Sequence, residues 1–170
     1  MSDVLWRWNG LTSEEAMQEI LACCGSAAWA RELVARRPLA DEISLVKASD
    51  EIWSRLGPQD WREAFARHPR IGEQKAPPEA SAQSAAWSAQ EQRKVALSGE
   101  VVRAALLEAN WEYEQRFGRV FIVCASGKSA AEILEVLQRR LRNDEATELR
   151  EAAEEQRKIT NLRLQKWLCP

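Results

Sequence analysis

The sequence is poor in the residues that build metal sites. It contains one histidine and four cysteines, at Cys23, Cys24, Cys124 and Cys169, with neither a C-x-x-C pair nor a zinc-type Cys/His spacing. We therefore predict no metal site. Cysteines scattered in this way are typical of small core residues, so free, reduced thiols are expected.

Three further absences bear on the class of protein. The formal net charge is −2 and the sequence pI is about 5.7, so the basic excess of a nucleic-acid-binding surface is missing. No run of about 18 apolar residues exists that could cross a membrane. The first residues also lack the basic and apolar regions of a secretory signal. The sequence predicts a cytoplasmic protein with no nucleic-acid or membrane partner.

Glycine and proline are scarce as well, with seven and six residues, whereas Ala, Leu, Glu, Arg and Gln dominate. These are strong helix formers, and apolar residues recur with helical spacing along most of the chain. We predict an all-α protein with one domain over residues 1–170 and seven or eight helices. The predicted helices cover residues 12–25, 26–37, 41–56, 59–67, 91–97, 99–117, 129–142 and 144–168.

Two segments depart from this helical pattern. Residues 68–86 show no sustained apolar period and contain Pro69, Gly72 and a Pro-Pro pair, which predicts a long loop. Loops of this length are usually functional or disordered. Residues 121–125 are short, apolar and β-prone but have no partner strand, so we predict a buried extended connector. The Ser-Gly-Lys-Ser129 that follows lacks the glycine that a phosphate-binding loop needs at position 122, and Ser129 is predicted to be a helix N-cap.

The only histidine, His68, lies where the fourth predicted helix meets the loop. It has two interpretations: a charged imidazole at the negative end of the helix, or a proton-transfer group. Pro69 restricts His68 to extended backbone conformations, so the ring leaves the helix in a fixed direction. Imidazole is also the side chain whose unperturbed pKa suits proton transfer at neutral pH.

Two more side chains carry alternative interpretations. Glu91 forms the pattern Ser88-x-x-Glu91, which is typical of a capping box but also of a helix N-terminus that presents polar groups to an anion. Arg163 falls on the apolar stripe of the last predicted helix, which it shares with Ile159 and Trp167. A guanidinium there needs a partner, either an internal carboxylate or an anionic ligand.

These residues belong to four short motifs whose order and spacing resemble those of one family. The motifs are HPRIG at 68–72, SAQEQ at 88–92, FGRVFIVCA at 117–125 followed by SGKS, and EQRKI at 155–159 with Arg163 and Leu164. Together they extend over nearly the whole chain. The sequence resembles the 2-oxo-4-hydroxy-4-carboxy-5-ureidoimidazoline (OHCU) decarboxylases of urate degradation.

The resemblance implies an all-α enzyme without metal or organic cofactor that is commonly a homodimer. It assigns catalytic roles to His68, Glu91 and Arg163. It implies substrate contacts from Pro69, Ser88 and Gln92, and from the connector residues Phe121, Ile122, Val123, Cys124 and Ala125.

The implied activity is the decarboxylation of OHCU to (S)-allantoin in purine catabolism. Two alternatives stay open at this point. One is a helical lyase acting on a related ureido or keto acid. The other is a non-catalytic helical interaction module in which His68 and Glu91 are only helix caps.

Overall fold

The computed structural model describes residues 2–73 and 77–169, and these residues form ten α-helices and no β-strand. The helices are α1 (Asp3–Gly10), α2 (Ser13–Ile20), α3 (Ala27–Ala35), α4 (Glu42–Arg55), α5 (Pro58–Phe65), α6 (Ala82–Glu91), α7 (Arg93–Ala96), α8 (Glu100–Phe117), α9 (Ala130–Arg140) and α10 (Glu145–Leu168). The all-α prediction is confirmed, with two or three more helices than the sequence pattern indicated.

Polar N-cap side chains begin several helices where the sequence predicts them. The Thr12 hydroxyl accepts from the Glu15 amide at 3.3 Å, and the Glu15 carboxylate accepts from the Thr12 amide at 3.0 Å. Ser129 and Glu132 form the same reciprocal pair at the start of α9. Ser129 is thus a helix cap, as predicted, and not part of a phosphate-binding loop.

Helix α1 has no counterpart in the sequence prediction. Ser2 caps it by accepting from the Leu5 amide at 3.3 Å, and the helix buries Leu5 and Trp8. With eight residues and two buried side chains, it is too short for an apolar period to be recognised. Helix α2 is also shorter than predicted, because it ends at Ile20 rather than near Gly25.

The chain divides into two compact units, Met1–Ala64 with Arg157–Pro170, and Phe65–Gln156. The residues of α10 are shared between them. The prediction of one domain over residues 1–170 stays a prediction. Every helix in residues 2–73 and 77–169 is too short or too polar to cross a membrane.

The first unit is built around buried aromatic and aliphatic side chains. The Trp8 and Trp167 rings meet edge to face, with centroids 5.8 Å apart. The indole N–H of Trp8 donates to the Ala16 carbonyl at 3.0 Å, and that of Trp29 donates to the Ser49 hydroxyl at 3.2 Å. Trp8 and Trp29 therefore fill the core and also satisfy their single polar atom.

The second unit has one apolar core in which both irregular segments take part. Ile71 comes from the segment after His68, and Phe121, Val123 and Ala125 come from the connector. They pack with residues of α7, α8 and α9 and with the residue that follows α9, namely Val95, Leu106, Ala109, Tyr113, Ala130, Ile133, Leu137 and Leu141. The connector is buried and non-helical, as predicted.

The loop prediction for residues 68–86 is wrong at its C-terminal end. Helix α6 begins at Ala82, where the Ser81 hydroxyl accepts from the Ser84 amide at 3.1 Å. Its alanines favour helix but supply no apolar contrast, so periodicity could not reveal it. Residues 74–76 of the predicted loop lie outside the described residues.

Candidate active site

His68 lies just beyond the end of α5, in a fixed backbone position. Its amide donates to the Phe65 carbonyl at 3.0 Å, and the buried Pro69 follows directly. The imidazole is half-buried, and its Nε2 lies 2.8 Å from Oε1 of Gln156. The solitary imidazole is thus held at both its backbone and its ring.

The residues after His68 are tied down one by one. The Arg70 guanidinium binds the Glu114 carboxylate through two hydrogen bonds, of 2.5 and 2.8 Å. The Ile71 carbonyl accepts from the Asn110 amide group at 2.9 Å. The Gly72 amide donates to Oε1 of Gln92 at 2.9 Å, with Gly72 at φ +90°, where other residues are strained. The first part of the predicted loop is therefore ordered by side chains of later helices.

A cavity of about 310 Å³ opens beside this segment. Pro69, Ser88 and Gln92, three of the predicted substrate-binding residues, line it together. Glu73 and Arg103 also line it, and no sequence pattern indicated either of them. The volume is in the range of pockets that hold small molecules, and the lining offers a hydroxyl, an amide and both signs of charge.

The position of Ser88 and Glu91 corrects the sequence interpretation. Ser88 is a buried residue inside α6 and Glu91 is the last residue of that helix, so they form no N-terminal capping box. A helix C-terminus presents carbonyl groups and a negative dipole, which disfavour a carboxylate. Glu91 is half-buried there. The prediction of an anion site at a helix N-terminus is therefore wrong, and so is the interpretation of Glu91 as a helix cap.

The connector shows the alternation of an extended segment. Phe121, Val123 and Ala125 enter the apolar core, whereas Ile122 and Cys124 are buried outside that cluster. The Ile122 carbonyl accepts from Arg140 at 2.6 Å, and the Cys124 amide donates to the Glu155 carboxylate at 2.7 Å.

The connector also has backbone donors that the residues described by the structure leave unused. Among the described residues, the backbone amides of Ile122 and Val123 have no hydrogen-bond acceptor. They are able to donate to a ligand. The amide of Cys124, by contrast, is already bound to Glu155.

The electrostatics of Cys124 bring Glu91 into the neighbourhood of the connector. Burial raises the pKa of the Cys124 thiol, the Lys128 ammonium opposes this rise, and the Glu155 and Glu91 carboxylates add to it. The thiol is therefore protonated at neutral pH and is not a nucleophile. Glu91 and Cys124, both predicted site residues, lie close enough to interact.

Below the connector lies a fully buried ion pair that the sequence did not indicate. Arg140 binds the Glu148 carboxylate at 2.5 Å, and neither side chain is exposed to solvent. The Tyr113 hydroxyl donates to the same carboxylate at 2.5 Å, and burial raises the pKa of that tyrosine. The Arg140 guanidinium also lies over the Phe121 ring, 4.6 Å from its centroid. Arg140 therefore holds the connector in place through the Ile122 carbonyl and the Phe121 ring.

Arg163 belongs to the first unit. It is a buried residue of α10, as the apolar stripe predicts. Burial raises the pKa of the Cys24 thiol to about 11, and the nearby positive charge of Arg163 opposes that rise.

The part of the chain that the structure describes contains no group of three or more His, Cys, Asp or Glu side chains that could hold a metal ion.

The sequence and the helical fold match one family of enzymes. The family model described as OHCU decarboxylase matches residues 9–165. The uric acid degradation bifunctional protein TTL of Arabidopsis thaliana is 34% identical over 156 residues, which cover 92% of this chain and 48% of that protein. The 2-oxo-4-hydroxy-4-carboxy-5-ureidoimidazoline decarboxylase of Amia calva is 43% identical over 68 residues, which cover 39% of each chain.

Two solved structures have a similar fold. A crystal structure of OHCU decarboxylase in the presence of (S)-allantoin has a TM-score of 0.76 and 32% identity, covering 89% of this chain and 98% of that one. A structure of (S)-allantoin synthase, at 17% identity, shares the fold with a TM-score of 0.71, covering 96% of this chain and 53% of that one.

The chain therefore belongs to the OHCU decarboxylase family. It spans about half or less of the length of the curated relatives that it matches.

Proposed function

We propose that this protein decarboxylates OHCU to (S)-allantoin in purine catabolism, without a metal or organic cofactor. The observation that carries the proposal is the cavity beside the segment that follows His68, because the predicted substrate contacts Pro69, Ser88 and Gln92 line it together. The proposal also rests on membership of the family and on the likeness to a structure with (S)-allantoin.

The substrate itself supplies the electron sink. When the C–C bond to the carboxylate breaks and CO₂ leaves, the electron pair enters the conjugated imine and carbonyl groups of the ring. The ring carbon that carries the ureido group then takes up one proton. The protein has to orient the carboxylate, stabilise the developing charge and deliver that proton to one face.

We assign these tasks to the predicted residues. His68 delivers the proton, which makes one enantiomer rather than a racemate. Glu91 orients His68 or binds the substrate hydroxyl. The free backbone amides of Ile122 and Val123 bind ring or ureido oxygens. The family resemblance also assigns substrate contacts to Phe121, Cys124 and Ala125, although no connector residue lines the cavity beside Pro69.

The remaining roles rest on the family resemblance. Arg163, described above within the first unit, is proposed to bind the anionic group of the substrate, for which a bidentate guanidinium is suited. We further propose a cytoplasmic homodimer, for which light scattering of the purified protein would give the mass.

The test is an assay with freshly generated OHCU that follows the product by circular dichroism. OHCU also decays spontaneously, so optical purity reports enzymatic turnover better than rate does. The wild-type protein is expected to give (S)-allantoin alone. His68→Asn is expected to lose about 10²–10⁴-fold in rate and to give a racemate, because general acid–base catalysis contributes factors of that size.

Matched controls separate loss of chemistry from loss of fold. Glu135→Gln changes an exposed carboxylate on α9 and is expected to leave both rate and optical purity unchanged. Far-ultraviolet circular dichroism should show the same helix content in all variants. A His68→Asn variant that still makes pure (S)-allantoin at the wild-type rate contradicts the assignment. A wild-type protein that turns over another ureido or keto acid instead, or none at all, supports one of the alternatives.

A further inference from the structure

The only imidazole of the chain is bound by an amide side chain that the sequence did not single out as a site residue. Gln156 has no exposed surface, and its Oε1 lies 2.8 Å from Nε2 of His68. The two residues are 88 positions apart in the sequence. A buried amide has to satisfy its polar atoms inside the protein, so this contact is part of the packed structure.

With Oε1 as the atom that faces the ring, the contact specifies one tautomer of His68. A glutamine Oε1 is only an acceptor, so the nitrogen facing it has to carry a hydrogen. The neutral imidazole of His68 then has its hydrogen on Nε2 and its lone pair on Nδ1. The proton that distinguishes the neutral from the charged ring is therefore the one on Nδ1.

We infer that Gln156 is a positioning residue for His68, which holds Nε2 as a donor and thereby makes Nδ1 the nitrogen that exchanges the catalytic proton. This inference rests on the proposed function, because it assigns a role within the same reaction. Gln156 acts through His68.

The neighbouring residue of α10 supports this role. Glu155 accepts the backbone amide of Cys124 at 2.7 Å, while Gln156 accepts from His68. Two consecutive residues of one helix thus hold the two irregular segments to which substrate contacts are assigned. Since a helix is rigid over one residue step, the spacing between the His68 ring and the connector is set by α10.

The inference can be tested without substrate, because the chain has a single histidine. A protein labelled with ¹⁵N in its imidazole gives signals from only two ring nitrogens. At a pH where the ring is neutral, the nitrogen with hydrogen and the nitrogen with a lone pair have widely separated chemical shifts. The wild-type ring is expected to carry its hydrogen on Nε2.

Two variants at position 156 distinguish the effect of the hydrogen-bond acceptor from the effect of side-chain volume. Gln156→Met keeps an unbranched side chain of similar length but removes the acceptor oxygen. It is expected to give a mixture of tautomers and to lower kcat about 10²-fold, with KM changed less than about threefold, because only the orientation of the proton donor is lost. Gln156→Glu keeps an acceptor oxygen, so it should retain the Nε2–H tautomer. Its kcat is expected to be at least tenfold higher than that of Gln156→Met.

Arg150→Met is the matched control. It introduces methionine at an exposed position of the same helix and should change neither the tautomer nor kcat. The inference is overturned if the wild-type ring carries its hydrogen on Nδ1, or if Gln156→Met keeps the wild-type kcat. Should Gln156→Met fail to fold, the wild-type tautomer alone still decides.

The failure of the proposed function gives a different result. In that case the wild-type protein forms no optically pure (S)-allantoin, whatever the tautomer. A wild-type Nε2–H ring in a protein without this activity would support the contact and reject the reaction.

Discussion

The two irregular segments of the second unit are held in opposite ways. The segment after His68 is fixed from its edges, by the exposed Arg70–Glu114 pair and by single hydrogen bonds to Ile71 and Gly72. The connector is fixed from inside, by Arg140, whose charge is fully buried against Glu148.

The difference follows from what each segment can offer. The first segment keeps a half-buried ring and a cavity at its side, so its anchors have to stay peripheral. The connector contributes side chains to the core, and its carbonyl at Ile122 is buried and needs a strong donor. An exposed ion pair contributes little to stability, whereas half of a broken buried pair is costly.

The largest effect on stability is expected for Arg140→Met. The change leaves the Glu148 carboxylate buried without its cation and the Ile122 carbonyl without its donor. The free energy of unfolding in urea should fall by about 3–5 kcal/mol. Arg139→Met is the matched control on the next residue, since Arg139 binds Glu151 at the surface, and it should cost no more than about 1 kcal/mol. Equal costs for the two variants would contradict the comparison.

An intermediate effect is expected for Gly72→Ala. An added Cβ would meet only the Leu106 side chain at 3.6 Å, an ordinary contact, so the cost comes from φ +90°. Backbone strain of this kind costs about 1–3 kcal/mol. Gly10→Ala, in a helix and in open space, should be neutral or stabilising by about 0.5–1 kcal/mol. Both are measured by urea unfolding, and a neutral Gly72→Ala would show that the turn relaxes freely.

The smallest effect on stability is expected for Arg70→Met. The pair with Glu114 is exposed, so its loss should cost at most about 1 kcal/mol and less at high salt. Arg7→Met removes an exposed pair of the same geometry, with Glu19, in the first unit. Only Arg70→Met is expected to raise KM for OHCU, because Arg70 holds the segment that lines the cavity. An equal KM for both variants would show that the Arg70–Glu114 pair does not influence substrate binding.

The candidate site was predictable where a motif coincides with a single backbone feature. His68 followed by Pro69, and the buried connector after Gly118, could be recognised because each interrupts a helical pattern. Ser88 and Glu91 were placed at the wrong end of their helix, since an alanine-rich helix has no apolar period. Gln156 belongs to the EQRKI motif, but neither its contact with His68 nor the role of Arg140 could be found, because a polar residue on a buried stripe does not reveal its partner.

By itself, the sequence determined the helical class, the caps at Thr12 and Ser129, and the family to which the chain belongs. These depend on local hydrogen bonds, on spacing along one helix and on short motifs, all of which neighbouring residues specify. Only the tertiary structure decided that Pro69, Ser88 and Gln92 share a cavity and that Gln156 binds the one imidazole. Such contacts join residues up to 88 positions apart, and they exist only after the core has brought their helices together.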